Sequence, residues 1–228
     1  MCVLAVTDVI RVVQRREQRR RRVGTAYDTA IEVAKMIPSE TRLLDVGCGE
    51  GFVAHHLSAL LGSKVIGVDL AQAPDAPIKY LCYDGTRLPV RDRSFDGVLL
   101  SYVLHHVQDI DQVLSEVRRV IRDGGLVVVY EDIPKAWWEK LPCWTHDLKW
   151  RSRTGPCTFR RDPEWVKLFR AYGLEVVDER HLSRWRNVFH PVGHRLYVLR
   201  ANGSGKLERT LRLPDANRDS SMRIRTSQ

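Results

Sequence analysis

Residues 43–51, Leu-Leu-Asp-Val-Gly-Cys-Gly-Glu-Gly, limit what this chain can fold into more than any other segment. The apolar residues around Asp45 read as the end of a buried strand. Gly47, Gly49 and Gly51 then alternate through a turn, and Gly51 to Leu61 reads as a helix. Alternating glycines are needed where the backbone bends sharply and a ligand must come close without a Cβ in the way. A strand, a glycine turn and a helix in that order point to an α/β sheet with a binding crevice at its strand ends.

The rest of the chain repeats this alternation. Thr25 to Ile37 carries Ala26, Ala30, Val33, Ala34 and Ile37 at helical spacing, and Pro38 stops the run. Lys64–Asp69, Ile78–Tyr83 and Phe95–Ser101 read as strands, and Asp109–Ile121 as a helix with one apolar stripe. Asp123-Gly124-Gly125 turns the chain into the strand Leu126–Tyr130. Leu174–Val177 and His194–Leu199 read as two more strands, joined without a convincing helix and so predicted to pair antiparallel at one edge. Short connections between strands and helices imply a mostly parallel sheet covered on both faces.

The second strand ends in Asp69, about 20 residues beyond the glycine turn, where an acid can accept hydrogen bonds from both hydroxyls of a ribose. A dinucleotide site uses similar parts, but two features argue against one. The nicotinamide pattern G-x-G-x-x-G fails, since Phe52 stands at the third glycine position. A pyrophosphate would also be repelled by carboxylates at the turn, and this turn is flanked by Asp45 and contains Glu50. S-adenosylmethionine carries an ammonium and a sulfonium instead of phosphates, and the acidic turn suits it.

Residues 40–132, with looser agreement to about residue 200, resemble the class I S-adenosylmethionine-dependent methyltransferases, in the broad branch that includes ubiquinone- and sterol-type enzymes. Asp45-Val-Gly47-Cys-Gly49-Glu-Gly51 matches the first motif of that family, and Asp69 its ribose-binding acid. Asp84-Gly85 falls where members hold the adenine. Leu88-Pro89 and Ser94-Phe95-Asp96 lead into the fourth strand as in the family, Ser101 to Val107 matches the segment that closes over the methionine part, and Gly124-Gly125-Leu126 matches the turn into strand five. The resemblance implies a doubly wound Rossmann-like sheet of seven strands with an antiparallel last strand. It implies a donor site built from Asp45, Gly47, Cys48, Gly49, Gly51, Asp69, Leu70, Asp84, Gly85, Ser101 and His106, with S-adenosylhomocysteine as product.

The catalytic base is left open: His105, His106 and His146 are candidates, with Glu131, Asp132, Asp147, His181 and His190 also on the acceptor side. Neighbouring histidines on a helix start are predicted to point apart, so no metal site is expected. Cys48 reads as a small packed residue rather than a nucleophile. Residues 131–165 are read as an insertion covering the acceptor, because Trp137, Trp138, Trp144, Trp150 and Trp165 cluster there between basic residues.

Charge matters for the acceptor. Of the net +9, residues 1–22 carry +5, from seven arginines against Asp8 and Glu17, and residues 201–228 carry +3. Residues 23–200, read as the methyltransferase domain, are therefore left with +1. The first segment is read as a basic helix or arm and the last as a disordered basic tail. No run approaches the roughly 20 apolar residues of a membrane span. Five cysteines without a C-x-x-C pair fit a reducing cytoplasm better than a disulfide framework. A small-molecule acceptor is the favoured reading. The alternatives are an RNA acceptor held by the basic ends and a non-catalytic donor-binding protein.

Overall fold

The computed structural model describes residues 2–70, 73–184 and 190–202. Seven strands form one sheet: β1 (Leu43–Val46), β2 (Val65–Asp69), β3 (Lys79–Cys82), β4 (Phe95–Ser101), β5 (Ile121–Asp132), β6 (Leu174–Leu182) and β7 (His194–Ala201). Their order across the sheet is β3-β2-β1-β4-β5-β7-β6. The first five are parallel, and β7 runs antiparallel to both β5 and β6. The predicted antiparallel edge is thus present, with β7 inserted between β5 and β6. The tail from residue 203 onward, predicted to be disordered, lies outside the described residues, as does much of the link between β6 and β7.

Helices cover both faces. On one, Ala30 and Val33 of α1 (Cys2–Ala34), and Ile37 just beyond it, cluster with Ala54, Leu57 and Leu61 of α2 (Phe52–Leu61). On the other, α3 (Ile110–Val120) and α5 (Asp162–Ala171) pack Leu114, Val117, Trp165 and Phe169 onto the sheet. Asp109 starts α3 by accepting the Gln112 N–H at 2.9 Å, a helix cap that satisfies one otherwise unpaired amide. α4 (Lys140–Thr154) belongs to neither layer and carries the tryptophan-rich insertion.

Two predicted boundaries move. Residues 1–22 were expected as a basic helix or arm and 25–37 as a helix; α1 joins the two in one element of 33 residues. β5 begins before the Asp123-Gly124-Gly125 turn: Ile121 pairs with Phe95, the register slips, and Leu126 pairs with Gly97. The glycines there form an irregularity inside a strand rather than its start.

The position of the site follows from the strand order. After β3 the chain returns to place β4 on the far side of β1, so the direction of winding reverses between β1 and β4. Loops at the carboxyl ends of those two strands diverge there and leave a crevice.

Candidate functional site

β1 delivers Asp45 and the glycine turn to that crevice. The Gly47 and Cys48 amides both donate to the Val68 carbonyl, at 2.7 and 3.2 Å, and the Gly49 N–H donates to the Asp69 carboxylate at 2.7 Å. The turn is therefore tied to the end of β2. Gly47 has φ +72°, and a Cβ there would lie 2.4 Å from Val103 Cγ2, so no other residue fits without rebuilding the loop. Cys48 packs its sulfur beside Gly67. Burial, then the neighbouring Asp45 and Asp69 carboxylates, push its thiol far above the ordinary range, which suits packing and not nucleophilic attack.

A cavity of about 410 Å³ opens against this turn. Asp45, Gly47, Cys48, Gly51 and Ser101 line it, together with Glu50 and Tyr102. α1 forms the opposite wall with Arg21, Arg22, Thr25, Ala26 and Thr29, and Arg22 reaches across to pair with Glu50. Asp45 is almost fully buried, and its Oδ2 has no hydrogen-bond partner. Burial, reinforced by Asp69, pushes its carboxyl up to about 7. A buried acid oxygen left without a donor at a cavity wall is a place for a cation or an N–H donor.

At the ends of β2 and β3 a second group gathers. The exposed Leu70 lies against Gly85, and the Asp84 carboxylate accepts the Thr86 N–H at 2.9 Å and its hydroxyl at 2.7 Å. Those bonds from Thr86 hold the Asp84 carboxyl below the usual range. One of its two oxygens is thus committed to a local turn, which sequence spacing does not reveal.

A model of the methyltransferase domain family matches residues 44–129. Over that stretch, from β1 into β5, the chain carries a methyltransferase domain. It is 32% identical over 105 residues to a 2-phytyl-1,4-naphtoquinone methyltransferase of Synechocystis, an alignment covering 40% of this chain and 44% of that protein. It is 30% identical over 108 residues to the mouse mitochondrial arginine-hydroxylase NDUFAF5, covering 44% and 31%. The chain thus spans less than half the length of these curated relatives. In fold it is similar to the Burkholderia thailandensis 1,6-didemethyltoxoflavin-N1-methyltransferase, solved with that compound and S-adenosylhomocysteine bound. The TM-score is 0.63 at 16% identity, over 86% of this chain and 87% of that one.

The predicted donor site is divided by the structure. Asp45, Gly47, Cys48, Gly51 and Ser101 share the cavity. Gly49 and Asp69 stand behind it through their mutual hydrogen bond, and Leu70, Asp84 and Gly85 lie beyond. His106 does not line this cavity. The α1 wall is absent from the sequence reading; the helical spacing of Ala26 and Ala30 could have placed this helix against the core, but not its preceding turn against the glycine loop.

The histidines correct the sequence reading outright. A 3-10 turn, Leu104–His106, follows β4, and there the rings of His105 and His106 lie 4.2 Å apart instead of diverging. His146 from α4 meets both, with its Nε2 3.4 Å from His105 Nε2 and 3.2 Å from His106 Nε2. Burial and the adjacent His105 lower His106 to about 3 and His146 to about 4. His105 is different: burial opposes its charge, but the buried Glu131 carboxylate, 2.6 Å from Nδ1, raises it. Asp132 bonds His190 at 2.9 Å and His194 at 2.8 Å. Although burial works against its charge, those two bonds hold its carboxyl far below the ordinary range. His181 stands apart, with Lys135 and Arg195.

The insertion divides too. Trp165 is core, stacked on Phe169, while Trp150 packs against His106 and His146. Trp137 and Trp144 are 83% and 57% exposed beside a second cavity of about 720 Å³, lined also by Lys135, Lys140, Asp147 and Arg161. Among the described residues no helix is long and apolar enough to cross a membrane.

Proposed function

We propose that this protein binds S-adenosylmethionine between the glycine turn and α1 and transfers its methyl group to a small-molecule acceptor held under residues 131–165. One observation carries the reading: the buried, unpartnered Asp45 Oδ2 at the wall of the cavity beside the glycine turn. A cationic donor satisfies that oxygen, whereas a diphosphate placed against it would meet a like charge. The donor supplies a methyl carbon already activated by positive sulfur. Asp45 and Ser101 would hold its amino-acid end, and Asp69 the ribose while steadying the Gly49 amide. Leu70 and Gly85 would flank the adenine, with Asp84 offering its remaining oxygen. α1 and the insertion would exclude water, and fixed positioning alone can lower such a barrier by roughly 7–11 kcal/mol. The names of the Synechocystis and Burkholderia relatives support an acceptor of quinone or heterocycle size.

Calorimetry with S-adenosylhomocysteine tests the donor site. Asp69→Ala removes charge-assisted hydrogen bonds of about 1.5–3 kcal/mol, so affinity should fall roughly 10- to 150-fold. Equal affinity in wild type and variant would remove the ribose assignment.

A second reading has a specific observation behind it. Arg15, Arg16, Arg19, Arg20, Arg21 and Arg22 are all exposed on α1, and the last two reach the cavity. An RNA acceptor would find phosphate-binding groups there.

A further inference from the structure

Three imidazole nitrogens from two separate elements converge on one point. We propose that His105, His106 and His146 form a site for a divalent transition metal of the zinc type, with its fourth position open to an oxygen or nitrogen atom of the acceptor. The nature of that fourth ligand rests on the methyl-transfer reading; the metal site does not.

The distances fit a single ion. His146 Nε2 lies 3.4 Å from His105 Nε2 and 3.2 Å from His106 Nε2, and ligand atoms of all three histidines lie within 4.8 Å of one another. A tetrahedral ion with nitrogens at about 2.0–2.1 Å requires ligand-to-ligand edges of about 3.3–3.4 Å. Hydrogen bonds within the cluster compete for one nitrogen. With its Nδ1 proton directed at Glu131, His105 in its neutral form turns an Nε2 lone pair inward, as a metal ligand must. His146 Nε2 has one in-plane direction and faces two nitrogens, so one of the two contacts stays unsatisfied. A cation at the centre pairs with every lone pair.

The surroundings have the form that metal-bound histidines take. Glu131 is fully buried, and its other oxygen is fixed by the Leu104 N–H at 2.7 Å, so the carboxylate orients His105 as a second layer around a metal would. His106 Nδ1 faces Thr154 Oγ1 at 3.2 Å, which leaves its Nε2 for the centre. Phe159 stacks on His105 and Trp150 meets His106 edge-on, forming an apolar collar. Two nearby groups do not complete the set: His190 has its Nε2 bonded to Asp132, and Cys157 meets His106 at Nδ1, on the side away from the centre. Imidazole-only ligation suits zinc, cobalt, nickel or copper and disfavours magnesium and calcium. The site joins α4 to the turn three residues beyond Ser101, so a bound ion would pin the insertion beside the donor cavity wall.

The test uses the full chain, stripped with a chelator and titrated with zinc(II) against a coloured competitor, then with cobalt(II). Wild type should take up one equivalent of zinc and give the intense visible bands of cobalt in a nitrogen-rich tetrahedral site. His146→Ala should weaken zinc binding at least 100-fold, Glu131→Gln by roughly 10- to 100-fold, and the exposed His55→Ala not at all. Stripped wild type that takes up no stoichiometric zinc, or shows only the pale spectrum of hydrated cobalt, overturns the proposal whether or not any variant folds. So does a His146→Ala protein with the wild-type melting curve and unchanged zinc affinity. These measurements contain metal alone, so a failure of S-adenosylhomocysteine binding would count against the methyl-transfer reading and leave the metal site standing.

Discussion

On the proposed donor reading, Asp45 serves ligand binding at the expense of the ligand-free fold. Its carboxyl is pushed up to about 7 by burial and by Asp69, against about 3.9 in an unfolded chain. A raised acid stabilises the fold only while protonated, so its contribution is complete below about pH 4 and is lost as pH rises through 7. Asp45→Asn should therefore stabilise the ligand-free protein at pH 8 by on the order of 1–3 kcal/mol, with the gain growing between pH 4 and pH 7 and then levelling. The same change removes the charge that faces the donor, and S-adenosylhomocysteine affinity should drop about 10- to 100-fold. In wild type, affinity should rise from pH 6 to pH 8, and binding near pH 6.5 should release a proton. Calorimetry in two buffers of different ionisation heat reads that proton directly; identical heats would show that Asp45 does not charge on binding.

At the scale of elements, α1 has two jobs carried by different turns. Its second half is held by apolar packing, so Leu57→Ala beneath it should cost about 2–5 kcal/mol in denaturant unfolding. The Arg22–Glu50 pair is exposed on both sides and is worth at most about 1 kcal/mol, so Arg22→Ala should leave stability almost unchanged. It should instead speed the escape of S-adenosylhomocysteine, measured by stopped-flow competition, because the pair spans the mouth of the cavity. An unchanged escape rate would mean that α1 does not cover the donor. This division explains what sequence could and could not reveal. The sheet was legible because buried strands, amphipathic helices and glycine turns each leave a periodic mark, and Asp45, the glycines and Asp69 sit inside that pattern. The arginine-rich turns of α1 leave none: residues 15–22 have no apolar stripe, and the helix passes on through Gly24. The histidine cluster was hidden for another reason, since His146 lies 40 residues beyond His106 and only the path of α4 brings them together.

Across the whole molecule, charge and chemistry are separated. The core of the chain is nearly neutral while the excess of positive charge lies at its ends, and on α1 the exposed arginines begin at the rim of the donor cavity and run away from it. Such a stripe attracts any polyanion, so RNA binding by itself would not identify RNA as the acceptor. Salt dependence separates the two. Each phosphate neutralised on a single strand contributes about −0.7 to the slope of log affinity against log salt, so replacing Arg15, Arg16 and Arg20 with Gln should flatten that slope by about 2. Arg19 is best left in place because it lies over the Phe52 ring at 5.9 Å, and Phe52 lines the cavity at the glycine turn. The triple variant should keep its S-adenosylhomocysteine affinity within about twofold, since the three replaced side chains line no part of that cavity. If methyl transfer to RNA fell in step with the lost slope, the stripe would be an acceptor site and the small-molecule reading would fail. If RNA binding vanished at moderate salt while methyl incorporation into a small-molecule extract survived both salt and the triple variant, the acceptor would lie under the insertion, where the tryptophans and the larger cavity are.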